Sequence, residues 1–123
     1  MKEKKFLVRT RPQFLDDQSN PERGEFVWTY EISIQNLSDD VVQLLNRRWL
    51  ITDLSGRVEE VQGPGVIGLQ PIIKPGKTFT YASFCQLSTP QGTMEGEYEL
   101  QEVGDETLFS IPVPKFILTA PTV

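Results

Sequence analysis

From Phe26 to Ile34 the chain alternates, with Phe26, Trp28, Tyr30, Ile32 and Ile34 on one side and Val27, Thr29, Glu31 and Ser33 on the other. A period of two puts successive side chains on opposite faces of an extended backbone, so the segment reads as a half-buried strand. Thr78 to Phe84 repeats the pattern with Phe79 and Tyr81 inward, and Met94 to Leu100 repeats it with Met94, Tyr98 and Leu100 inward. No stretch carries a comparable helical stripe without an internal Gly or Pro, so no substantial helix is expected. Turn chemistry separates the strands: SNPERG at 19–24, NLSDD at 36–40, DLSG at 53–56, KPGK at 74–77, STPQG at 88–92 and VGDE at 103–106. Pro75 presets φ for the second position of a turn and Gly76 supplies the positive φ of a type II third position. Asp53 to Gly56 is expected to close a tight hairpin between the Trp49 and Val58 strands.

Short strands at this spacing, without crossover helices, predict an all-β chain. The expected architecture is an immunoglobulin or fibronectin type III-like sandwich of two antiparallel sheets with about seven or more strands. The predicted core is Phe26, Trp28, Tyr30, Ile32, Ile34, Leu45, Trp49, Ile51, Phe79, Tyr81, Met94, Tyr98, Leu100 and Phe116. Near the C-terminus, Pro112 and Pro114 cannot donate ladder hydrogen bonds, which favours an edge strand or a bulge and protects that edge from aggregation. With no linker or repeat, residues 1–123 are expected to form one domain, long enough to bury a core without disulfides or a structural metal.

Composition narrows the function. Hydrophobic residues at 38% and charged residues at 24% suit a soluble globular protein, and the apolar runs are too short to span a bilayer. The N-terminus has charge but neither an apolar signal core nor a small-residue cleavage site, so a cytoplasmic location is expected. The chain has no histidine, hence neither the commonest general base near neutral pH nor the commonest transition-metal ligand. Cys85 is the one cysteine, which excludes an internal disulfide and reads as a small buried hydrophobe. Ser83 and Ser88 have no activating base in a plausible pattern. The net charge of −5 is uneven: residues 1–11 hold Lys2, Lys4, Lys5, Arg9 and Arg11 against Glu3, leaving seven cations and sixteen anions for the rest. An acidic body repels phosphate backbones, so nucleic-acid binding is not expected, and the basic arm reads as a solvated strand end.

Gly63-Pro64-Gly65-Val66-Ile67-Gly68 matches G-x-G-x-x-G, but that pattern marks a dinucleotide site only where it joins a strand to a helix. Leu69-Gln70-Pro71 follows instead, so the expectation is a loop needing glycine backbone freedom, with at least one positive φ. Glu95, Glu97 and Glu99 share the polar face of one strand. They are weak candidates for a divalent cation such as Mg²⁺, read more economically as solvated carboxylates facing cross-strand cations. Arg47 and Arg48 point to opposite faces of a strand, so one must approach the apolar side. For Arg48 the alternatives are a carboxylate pair, with Asp53 or an acidic residue on the next strand, or an exposed protein-binding cation.

Val41 to Pro71, with YEISIQN at 30–36, Pro75-Gly76 and GTMEGEYEL at 92–100, closely resembles the ApaG family. The resemblance implies the same small β-sandwich and no assigned enzymatic activity. In the family G-x-G-V-x-G-x-Q-P is a shared signature, which marks Gly63, Gly65, Gly68 and Gln70 as the candidate binding loop. The chain departs from family tendencies at Arg47-Arg48-Trp49, where relatives often read R-H-W, and at Tyr81-Ala82-Ser83-Phe84, where they tend to Tyr-Thr-Ser-Gly. ApaG-like domains also occur on F-box proteins, which implies a partner-recruiting role by analogy. The expected function is therefore a non-enzymatic module for protein-protein interaction, without a cofactor. The family's link to cobalt tolerance and magnesium efflux comes with the resemblance. The alternative is a small-ligand protein for phosphate, pyrophosphate or a divalent cation (Mg²⁺ or Co²⁺).

Overall fold

The strand periodicity read from the sequence over 26–34, 78–84 and 94–100 is realised in the structure. The structure, a computed structural model, describes residues 5–121. Its strands are β1 (Phe6–Phe14), β2 (Phe26–Asn36), β3 (Val42–Asp53), β4 (Val58–Pro64), β5 (Ile72–Ile73), β6 (Thr78–Leu87), β7 (Gln91–Glu102) and β8 (Leu108–Thr119). Short 3-10 turns at Asp16–Gln18 and Pro21–Arg23 are the only helical pieces among the described residues. One sheet runs β1-β2-β6; the other runs β4-β3-β7-β8, with β5 also paired to β3. Every pairing is antiparallel. Lys2 and Lys4 of the basic arm lie outside the described residues, while Arg9 and Arg11 are exposed on β1.

The two sheets face each other across one core to which Trp28, Tyr30, Ile32 and Ile34 contribute from β2 and Met94, Tyr98 and Leu100 from β7. Each large apolar side chain taken out of water contributes on the order of 2 kcal/mol. Of the expected core, Phe26, Ile51 and Phe79 are partly buried and pack against it. Leu45 is the exception. The β3–β7 register shifts between Leu44 and Asn46, so the inward phase passes from Val42 and Leu44 to Trp49 and leaves Leu45 half-buried in the irregularity. Strict alternation cannot foresee such a bulge, because one extra residue reverses the parity of everything beyond it.

The predicted turns close as their residues dictate. Lys77 N donates to Lys74 O at 3.0 Å across Pro75-Gly76, with Gly76 at φ 78°. Asp53 Oδ1 accepts from the amides of Ser55 and Arg57 in the β3–β4 hairpin. β8 is a sheet edge, and its register against β7 slips where Met94 pairs with Phe116 and Gly96 with Val113, leaving Pro114 and Lys115 in a bulge. The sandwich is closed along one side, where β1 packs on β8 and the Phe6 and Phe109 rings lie 5.9 Å apart. On the other side the free edges are β4 and β6, which are not packed together in the same way.

Candidate functional site

The bulge at Leu45 ties down the glycine-rich loop. Leu45 O accepts from Gly65 N at 2.7 Å and from Gln70 Nε2 at 3.0 Å, and Gln43 Nε2 donates to Gln70 O at 3.0 Å. Gln70, whose side-chain amide donates to Leu45 and whose backbone carbonyl accepts from Gln43, is thus a clamp between loop and sheet. Within the loop, Val66 N donates to Leu69 O at 2.8 Å and Leu69 N to Val66 O at 2.9 Å, around Ile67 at φ 45° and Gly68 at φ 79°. Positive φ at both central residues is the geometry of a type I′ turn. A β-branched residue there is strained, and Ile67 is the one non-glycine residue with positive φ among the described residues. Gly65 also has positive φ, and a Cβ there would come within 2.2 Å of Leu69 O. No helix follows the G-x-G-x-x-G segment, and its glycines serve turn geometry and space.

Gly63 makes room for a side chain from the next strand. It pairs with Arg47, and a Cβ on Gly63 would meet the Arg47 guanidinium at 3.0 Å. Arg47 Nη1 donates to Pro64 O and Gly65 O, both at 3.0 Å. Arg47 shares the inward parity of Trp49, two residues on; it is the arginine that approaches the apolar side. Arg48 lies on the outer face, where its Nε is 3.2 Å from Glu60 and its Nη1 3.8 Å from Glu97. Asp53 is not its partner, being engaged by its own turn. Glu60 has its carboxyl held below the ordinary range by Gln62 first and by Arg48 second. These exposed pairs contribute little to stability.

The glutamate row faces β3 as cross-strand pairing requires: Glu95 opposite Leu50, Glu97 opposite Arg48 and Glu99 opposite Asn46, whose Nδ2 donates to Glu99 at 2.8 Å. The three carboxylates are not gathered around a point, and among the described residues no cluster of His, Cys, Asp or Glu could hold a metal ion. The weak metal candidacy of Glu95, Glu97 and Glu99 therefore has no geometric basis. A cavity of about 390 Å³ on this outer face is lined by Arg47 and Arg48 together with Glu97 and Glu99, two cations against two carboxylates, so its charges are already matched.

The open side between β4 and β6 is different. Two adjoining cavities of about 330 and 320 Å³ share Tyr30, Arg47, Trp49 and Ser83. The first extends to Val66, Ile67 and Gly68 of the loop, the second to Glu59 and Cys85. Tyr30 stands edge-on to Trp49, ring centroids 5.8 Å apart. Burial raises the pKa of Tyr30, Tyr81 and Tyr98, and the hydroxyls of the last two meet in the core. Burial also pushes the Cys85 thiol up to about 11, so it stays protonated and unreactive near neutral pH. The cleft offers one cation, aromatic walls and hydroxyls: the means to hold a ligand. Sequence reading assigned Tyr30 and Trp49 only to the core. The available signal was the shared parity of Arg47 and Trp49, but the openness of the β4/β6 side is a property of the assembled sheets.

A model of the ApaG domain family matches residues 16–102. The chain is 51% identical over 114 residues to Protein ApaG of Mesorhizobium japonicum, covering 93% of this chain and 87% of that protein. It is 48% identical over 115 residues to Protein ApaG of Maricaulis maris, covering 94% and 88%. A crystal structure described as that of an ApaA protein from Bordetella pertussis superposes with a TM-score of 0.92 at 38% identity, covering 99% of this chain and 98% of that one.

Proposed function

The chain belongs to the ApaG domain family, and from that premise we propose that it is a non-enzymatic cytoplasmic module that binds another protein along the open β4/β6 side of its sandwich. The observation that carries this reading is the pairing of two free strand edges with an inter-sheet cleft whose central cation, Arg47, has no carboxylate within ion-pair distance among the described residues. Free edges recognise extended segments by adding a strand, and a pocket beside them supplies side-chain specificity. Exposed apolar residues flank the same side: Phe84 on β6 is 66% exposed, and Ile67 and Leu69 in the loop are 56% and 50% exposed. The chemistry for catalysis is thin, with no histidine in the chain and a thiol that burial keeps protonated.

Affinity capture with the folded chain, followed by calorimetric titration of the captured protein, tests this. One saturable complex is expected, weakened by Phe84→Lys and by Gln62→Pro, a substitution on the free edge of β4. Saturable micromolar binding of ATP, diphosphate, Mg²⁺ or Co²⁺ without any protein complex would favour the small-ligand alternative and overturn this reading.

A further inference from the structure

We propose that the Arg47 cleft receives a C-terminal carboxylate, with the apolar side chain of that last residue seated against Trp49, Val66 and Ile67. This inference rests on the protein-binding reading above and specifies the anchoring group of the partner.

The hydrogen-bond inventory of one side chain leads to it. A guanidinium has five N–H donors. Arg47 spends two of them, both on Nη1, on the carbonyls of Pro64 and Gly65. The Nε–H and Nη2–H donors have no acceptor among the described residues. These form the side-on fork that matches the two oxygens of a carboxylate. Arg48, one residue away, has two carboxylates, Glu60 and Glu97. In a chain with 17 acidic residues, a cation held by two carbonyls but left without a counter-ion among the described residues is built to receive one. Its position is specified as well, because Gly63 leaves the space that the guanidinium fills.

The surroundings define the rest of the ligand. In the cavity toward the loop, Arg47 is the only charged side chain among the described residues, whereas the adjoining cavity adds Glu59. An anion therefore favours the loop side. The walls there are Tyr30, Trp49, Val66, Ile67 and Tyr81, with Ser83 beside them. The amides of Ile67 and Gly68, on the same wall, are not taken by any backbone acceptor among the described residues. One cation with apolar walls suits a single negative charge beside an apolar group; a phosphate dianion in an acidic protein calls for more positive charge. A C-terminal apolar residue carries both groups on one carbon, and the free edge of β6 offers backbone groups to the residues that precede it.

Two-dimensional NMR of the whole chain, following the Arg47 Nε–H and Trp49 Nε1–H signals, tests this with N-acetyl-leucine, N-acetyl-leucine amide and inorganic phosphate as probes. N-acetyl-leucine is expected to shift both signals saturably in the millimolar range, and the amide to bind about tenfold more weakly or worse because the charge-assisted fork is lost. Arg47→Gln should abolish the shifts at Trp49. Should that variant fold poorly, the acid-against-amide contrast on the unaltered chain decides. Equal response to acid and amide, no response at Arg47, or tighter binding of phosphate overturns the assignment. The two readings separate cleanly. A captured protein whose C-terminal peptide binds equally well as the free acid and as the amide overturns the carboxylate anchor alone; N-acetyl-leucine binding at Arg47 with no captured protein overturns the protein-binding reading alone.

Discussion

The hydroxyls of Tyr81 and Tyr98 lie 2.5 Å apart in the core, joining β6 of one sheet to β7 of the other. Each satisfies its partner, so removing one strands the other in apolar surroundings. Tyr81→Phe or Tyr98→Phe is expected to cost about 1–3 kcal/mol, the penalty of an unpaired buried hydroxyl. The double Phe variant should cost clearly less than the sum of the two. Urea denaturation of the four proteins in a double-mutant cycle measures the difference.

Alkaline pH should destabilise the fold. The chain's 3 tyrosines, Tyr30, Tyr81 and Tyr98, all have pKa values raised above the ordinary 10.0, with burial as the leading cause. Their neutral forms are preferred in the folded state, so this stability is fully present below pH 10 and is lost as pH rises above it, where the unfolded chain ionises first. Tyrosinate absorbance is expected to appear together with loss of the near-ultraviolet circular dichroism. A free tyrosinate titrating near pH 10 in the intact fold would contradict it.

Alanine should separate the glycines of the loop. Gly65→Ala combines φ 63° with a Cβ 2.2 Å from Leu69 O, whereas Gly68→Ala meets nothing within 4 Å and bears only the cost of φ 79°. The expected loss is about 1 kcal/mol for Gly68→Ala and more for Gly65→Ala. Thermal denaturation gives the order, and equal melting temperatures would refute it.

Ile67 should be improvable. Its φ of 45° is one that Asn tolerates far better than a β-branched residue, so Ile67→Asn is expected to stabilise by about 1 kcal/mol. The same variant should weaken N-acetyl-leucine, having removed an apolar wall of the cleft.

Asn36, fully buried, is a structural hub. Its Nδ2 donates to Asp40 O at 2.8 Å and Ile73 O at 3.0 Å, and its Oδ1 accepts from Ser38 N at 2.9 Å and Ser38 Oγ at 2.6 Å. Asn36→Ala leaves several of these groups unmatched and should cost about 3 kcal/mol. Faster amide exchange at Ser38 would locate the damage.

The alternation of β2, β6 and β7, the Pro75-Gly76 turn, the Asp53 hairpin and the edge prolines of β8 were all legible in the sequence, because each depends on local preferences or on a period set by the backbone. The opposed directions of Arg47 and Arg48 followed from the same period. The contents of the bulge did not, and Leu44 rather than Leu45 fills the core because two strands settled on a pairing that single-strand parity cannot express. Gly63 carried no visible sign of its role, since the guanidinium it accommodates comes from a residue 16 positions away, brought alongside by β3–β4 pairing. The cleft, finally, belongs to no segment. β1 and β8 close one side of the sandwich while β4 and β6 leave the other open. That asymmetry decides which half-buried side chains can meet a ligand, and it exists only once the two sheets are stacked.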